Sequence, residues 1–201
     1  IPGYRPYFDR AFGGDDPMTV DNAAKAVAAF ERTLITPNSP YDRYVKGDKG
    51  AMSGQQVRGM NAFAEAGCMA CHAGPAFNGP AQEPGTGFYM KFPTFSDNDY
   101  TRDYIFADDG GRFEVTGKET DKALWKVPTL RNIEVTAPYF HNGSVKTLPE
   151  AVKVMAKTQL NMDLTEQQTA DITAFLSALT GEFPEQPMPR LPITPGRTIV
   201  E

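Results

Sequence analysis

Cys68-Met69-Ala70-Cys71-His72 decides what this chain is able to become. Two cysteines separated by two residues, with a histidine directly after the second, form the attachment signature of a covalent c-type haem. The chemistry sets the spacing. Both thiols must reach the two vinyl groups of one porphyrin, and the histidine then lies under the iron as an axial ligand. These are the only cysteines among 201 residues. A structural zinc site needs four ligands, and Cys68, Cys71, His72 and His141 are the whole supply of Cys and His. His72, joined to Cys71, is badly placed to complete such a tetrahedron. A thioredoxin-like pair follows a strand in a βαβ unit, whereas the residues before Cys68 read as a helix. A disulfide across two intervening residues would be strained.

Hydrophobic content of 40% with 22% charged residues is ordinary for a globular protein. The formal net charge is −5, and haem propionates would make it more acidic. That argues against nucleic acid and leaves room for a basic protein partner. No apolar run approaches the ~20 residues of a membrane span. No signal peptide is present, yet c-type haem is attached outside the cytoplasm, in bacteria in the periplasm, so a periplasmic location is expected. The chain begins at Ile1 without an initiator methionine, which reads as a processed or trimmed product.

Taken in order, residues 1–17 are rich in turns and aromatics. Thr19 reads as an N-cap for a helix carrying Ala23, Val27, Phe30 and Leu34, which Pro37 and Pro40 are expected to end. Residues 37–52 read as a connector with Gly47 and Gly50 as breakers. A second helix opens at Ser53 with Val57, Met60 and Ala64 on its apolar stripe, and stops at Gly67, where the haem motif follows. Gly59, one turn before Phe63, allows another backbone to approach. Residues 73–117 read as a long loop, acceptable where it wraps a cofactor; Arg112–Thr116 reads as a short strand. Thr147 and Glu150 spell a capping box, and Thr165 and Gln168 repeat the device. Ile172, Phe175, Leu176 and Leu179 then give an i, i+3, i+4, i+7 stripe ending near Gly181. The tail, with prolines at 184, 187, 189, 192 and 195, is expected to lie extended.

Two of these helices echo one another. Val27, Ala29, Phe30 and Leu34 match Ile172, Ala174, Phe175 and Leu179, each 145 positions later. If the second closes a haem domain and the first does the same, a haem-bearing segment precedes Ile1. The plainer account is that amphipathic helices share apolar positions by chance.

The run Lys126-Val127-Pro128-Thr129-Leu130-Arg131-Asn132-Ile133, continuing through Thr136-Ala137-Pro138-Tyr139-Phe140-His141-Asn142-Gly143-Ser144, resembles the bacterial dihaem cytochrome c peroxidase family. AFERTLITPNSPYDRYVKGD (29–48) and LPEAVKVMAKTQL (148–160) do as well, so the resemblance runs along nearly the whole chain. It implies two c-type haems in the intact protein, one of them in this chain, with a calcium ion near the domain interface. Hydrogen peroxide is reduced at the N-terminal haem. This chain then comprises the end of the peroxidatic domain plus linker (1–50) and a complete electron-transfer domain with a Pro-rich tail (51–201). The expected fold is mainly α, a class I cytochrome c-like haem domain with long loops and little or no β.

On the same resemblance, His72 is the proximal iron ligand and Met155 the distal one. The residues alone allow Met155 to be a core methionine, with seven others available and Met162 the nearest competitor. A thioether donates weakly and favours reduced iron, which suits a haem that stores and passes an electron. Backbone carbonyls of Thr136 and Pro138 match calcium positions of the family, whose completing side-chain amide belongs to a segment not in this sequence. Arg131, by charge, is a candidate propionate partner, and His141 a haem-edge hydrogen-bonding residue. Trp125, the sole tryptophan, reads as ordinary packing. No catalytic residue is expected in this chain, because the first CxxCH segment is not in it, and the chain alone is expected to be inactive. The implied partners are a small electron donor (a c-type cytochrome or a cupredoxin) and peroxide at the other domain, with room for a homodimer. Two rivals stand: a complete monohaem electron carrier, and a relative that oxidises a protein substrate, in which tyrosine replaces the methionine.

Overall fold

Thr19, Ser39, Ser53 and Thr165 each stand directly before a helix, and each hydroxyl accepts the backbone N–H three residues on. Satisfying those orphan donors fixes where four of the helices begin. The computed structural model describes residues 1–83, 86–186 and 189–192. It is mainly helical and divides into two compact units: Ile1–Thr36 with the stretch from Phe183 onward, and Pro37–Glu182.

The first unit holds α1 (Arg5–Phe12) and α2 (Val20–Glu31). Arg5 Nε meets Asp9 Oδ1 at 2.7 Å one turn away. α2 stops at Glu31, before Leu34 and well short of Pro37, because Thr33 and Leu34 turn their amides onto the Phe30 and Glu31 carbonyls. None of its residues is buried.

The second unit holds α3 (Pro40–Val45), α4 (Gly54–Glu65), β1 (Tyr89–Lys91), α5 (Asp99–Asp103), α6 (Phe113–Thr116), β2 (Leu124–Lys126), α7 (Leu148–Leu160) and α8 (Glu166–Ser177). α3 lies inside the stretch read as a bare connector. Its capping box pairs Ser39 with Asp42 in both directions, and Tyr41 N donates to the Ala178 carbonyl at 3.1 Å beyond α8. The core forms where α4 crosses α8. Gly59 is the reason they cross so closely: a Cβ there would collide with the Asp171 carbonyl and meet Phe175 Cβ at 2.9 Å. Phe63, Phe77 and Phe175 then pack ring against ring, joined by Tyr41.

Further local expectations change. Arg112 leads into α6, and residues 112–116 form no strand: Thr116 and Gly117 donate to the Arg112 and Phe113 carbonyls, and Gly117 at φ +64° closes the turn. Local turn bonds outweigh the β-preference of Val115 and Thr116. The antiparallel pair is instead β1 with β2, Met90 opposite Trp125, with β1 inside the stretch otherwise read as loop and β2 beyond it. Thr147 does precede α7, but its side chain caps nothing; Glu150 accepts the Tyr104 hydroxyl at 3.0 Å instead. α8 ends at Ser177, and Gly181 N donates to Asn132 Oδ1 rather than stopping the helix. Pro184, Pro189 and Pro192 lie in no helix or strand, while Pro187, Met188 and Pro195 fall outside the described residues.

Candidate functional site

α4 delivers the cysteines. The helix ends at Glu65 with Ala66 as its C-cap, Gly67 takes φ +86°, and Cys68–Ala70 winds as a 3-10 turn in which Cys71 N and His72 N both reach the Cys68 carbonyl. The tight turn puts both thiols and the imidazole at one end of α4. Burial pushes the Cys68 thiol up to about 11 and raises Cys71 as well. Burial thus disfavours the charged form of both thiols, the opposite of what activates a nucleophilic cysteine. Among the described residues no group of three or more His, Cys, Asp or Glu side chains is arranged to hold a bare metal ion.

His72 is buried, and burial depresses its basicity, partly opposed by the bond to Phe77. Its Nδ1 lies 3.0 Å from the Phe77 carbonyl oxygen. A carbonyl only accepts, so the proton of the neutral ring sits on Nδ1 and the lone pair on Nε2 is free for a ligand bond.

A cavity of about 430 Å³ opens beside this turn, within the usual size of a cofactor site. Cys68, Cys71, His72, Met155, Thr136, Pro138 and His141 all line it, from three separate stretches of the chain. α7 supplies Met155; the Val127–His141 segment supplies the far wall. Met90 of β1 also lines it, whereas Met162, the sequence competitor, does not. Phe92, Tyr139 and Phe140 make the wall mostly apolar, which suits a porphyrin face.

Two residues of that wall, Trp125 and His141, carry unpaired polar atoms. Trp125 stacks on His141 with ring centres 4.1 Å apart and an interplanar angle of 12°. Trp125 Nε1 and His141 Nε2 are both buried without a hydrogen-bond partner. Such orphans are rare, and each costs about 1–3 kcal/mol unless something pairs with it. Burial lowers the pKa of His141, with Asp109 pulling the other way. An apolar cavity, a CxxCH turn and an imidazole with a free Nε2 together fit a haem, and Trp125 and His141 stand on the same lining. Sequence reasoning gave Trp125 to ordinary packing. Nothing in the residue order pairs it with His141, sixteen positions later; only the folded chain brings the two rings together.

Arg131 is not on this cavity. Its guanidinium is spent on Asp42 Oδ1 (2.8 Å), Ser39 Oγ (3.0 Å) and the Pro75 carbonyl (2.9 Å). Thr136 and Pro138 offer two carbonyls where calcium takes six to eight oxygens, so they do not by themselves make a calcium site.

Comparison with known proteins agrees with this chemistry. Residues 1–50 match the family model described as di-haem cytochrome c peroxidase. The chain is 41% identical over 192 residues to the cytochrome c551 peroxidase of Nitrosomonas europaea, covering 96% of this chain and 54% of that protein. It is 39% identical over 199 residues to the cytochrome c551 peroxidase of Pseudomonas aeruginosa, covering 98% and 55%. A solved MauG-like protein associated with microbial copper homeostasis superposes with a TM-score of 0.69 at 29% identity, over 89% of this chain and 59% of that one. The chain spans about half the length of the curated relatives it matches.

Proposed function

The chain belongs to the dihaem cytochrome c peroxidase family, and we propose that it is the electron-transfer portion of a periplasmic member of that family. Cys68 and Cys71 would tether one haem c, His72 would bind its iron through Nε2, and Met155 would complete the axial pair. A bound haem supplies storage for one electron at its iron. The protein's part would be to hold it with His72 and Met155: a weakly donating thioether beside an imidazole would favour reduced iron and suit electron transfer rather than peroxide binding. Trp125 and His141 would meet the propionates. A small reduced c-type cytochrome or cupredoxin would deliver electrons, which pass to a second haem domain. There peroxide takes up two electrons and two protons and leaves as two waters.

The observation that carries this reading is the convergence of Cys68, Cys71, His72 and Met155 on one apolar cavity. The exposed stripe of α2, with Val27 at 56% and Phe30 at 53%, supports the assignment of the first unit to the second haem domain. In the intact protein calcium is part of the same proposal, drawing its other ligands from outside Thr136 and Pro138. The decisive experiment expresses the chain with c-type maturation machinery and records its mass and visible spectrum. One covalent haem is expected, with the weak sulfur-to-iron band at the red edge. That band should vanish in Met155→Ala and persist in Met90→Ala; the reverse pattern would assign the iron to Met90, and a colourless product would sink the proposal.

A second reading, a stand-alone electron carrier, is favoured by one fact: Pro37–Glu182 alone contains all of these site residues. Peroxide turnover by the full-length gene product, absent in the isolated chain, separates the two.

A further inference from the structure

Phe77 is the residue whose carbonyl orients His72, and its backbone sits at φ +52°. For a bulky side chain this left-handed conformation is a true outlier, kept only where the surroundings impose it. Two bonds within the turn help, Phe77 N to the Gly74 carbonyl at 3.1 Å and Gly79 N to the Ala73 carbonyl at 3.2 Å. The rest comes from far along the chain. Arg131 Nε donates to the Pro75 carbonyl at 2.9 Å, and Thr129 Oγ1 to the Ala76 carbonyl at 2.6 Å. The Arg131 guanidinium also stands 5.5 Å from the ring centres of both Phe77 and Tyr41.

Arg131 can do this because it is itself held. Asp42 Oδ1 takes Nη2 and Ser39 Oγ takes Nη1, while Ser39 donates onward to Asp42 Oδ2 at 2.8 Å. Ser39 is fully buried. α3, which carries Asp42, is fixed in turn to the end of α8 by Tyr41. A carboxylate, a hydroxyl and a carbonyl thus occupy three directions of one planar fork, which a lysine would not reproduce.

We propose that Arg131 is a positioning residue for His72: anchored on Asp42 and Ser39, it holds the Pro75–Phe77 turn whose carbonyl fixes the imidazole. This rests on the reading of His72 as iron ligand. An Nδ1–H bonded to a carbonyl makes the imidazole a stronger donor and stabilises oxidised iron. If the turn relaxes, Phe77 returns to ordinary backbone, the bond weakens and the iron is easier to reduce.

The test uses the matured haem-bearing chain in three variants, Arg131→Gln, Asp42→Asn and Arg58→Gln. The last removes an arginine–carboxylate pair of the same kind, Arg58 with Asp171, between α4 and α8. Two readouts report on His72 rather than on folding: NMR exchange of its Nδ1 proton and the midpoint potential. Arg131→Gln is expected to speed that exchange about tenfold, the equivalent of one hydrogen bond, and to shift the potential upward. Asp42→Asn should move both the same way by less, and Arg58→Gln should lower the melting temperature while moving neither. If Arg131→Gln does not fold, Asp42→Asn decides. Covalent haem in the wild type, with both readouts unmoved in Arg131→Gln and Asp42→Asn, overturns the clamp alone. A wild type that carries no haem overturns the haem reading and the clamp with it.

Discussion

Asp42 and Arg131 meet at 2.8 Å with side chains 19% and 18% exposed, half out of reach of solvent screening. Burial pushes the Asp42 carboxyl up, but the hydrogen bonds from Arg131 and Ser39 and the Arg131 charge outweigh it, so its pKa lies below the usual range. A carboxyl depressed on folding contributes stability above its unfolded value of about 3.9 and loses that contribution as pH falls through the folded one. Asp42→Asn should therefore cost about 1.5–3 kcal/mol at neutral pH, as for a hydrogen-bonded charge. The gap to wild type should narrow below about pH 4. Denaturant titrations at the two pH values read both. Residues of this kind are where sequence reasoning fell short. Cys68, Cys71 and His72 are legible because covalent chemistry dictates their spacing. Charge alone makes Arg131 no more than a candidate propionate partner, while its actual partner lies 89 positions away on a helix whose sequence reads as a connector.

Among the elements, the apolar stripes of α4 and α8 and the glycine between them were readable because helical periodicity records which face is buried. Gly59→Ala should cost at least ~2–3 kcal/mol, since the new Cβ meets backbone that cannot swing aside; loss of cooperative chemical unfolding at lower denaturant would register it. Capping was readable only in part. Thr147-x-x-Glu150 and Thr165-x-x-Gln168 look alike in sequence, yet only the second closes in both directions, because Tyr104 claims Glu150 from across the fold. Thr165→Ala should therefore cost about 1 kcal/mol. Thr147→Ala should stay within about 0.5 kcal/mol, as for an exposed position with no cap to lose. Equal losses in the two variants would contradict the assignment. The β1–β2 pair went unread for a related reason: three-residue strands carry too little alternation to signal themselves.

Across the whole molecule, one apolar pattern meets two fates. Ile172, Phe175 and Leu179 are 2%, 1% and 0% exposed, while their counterparts Val27, Phe30 and Leu34 are 56%, 53% and 45% exposed. Periodicity says that a face is apolar; it does not say what covers it. In this chain, removing the exposed stripe should cost little: Val27→Ser with Phe30→Ser is expected to change the unfolding free energy by no more than about 0.5 kcal/mol per site. Phe175→Ala, by contrast, should cost about 3–5 kcal/mol, because it opens a cavity in a packed core. If α2 closes a second haem domain, the same Val27/Phe30 pair placed in the full-length gene product becomes a core substitution. There it should cost several kcal/mol, on the scale of large-to-small changes in a core, and release the second haem domain's protection from proteolysis. Sedimentation velocity gives a further reading on the chain itself. An uncovered apolar patch favours self-association at high concentration, and the double serine variant should suppress it. A full-length protein indifferent to both substitutions would remove α2 from any domain interface.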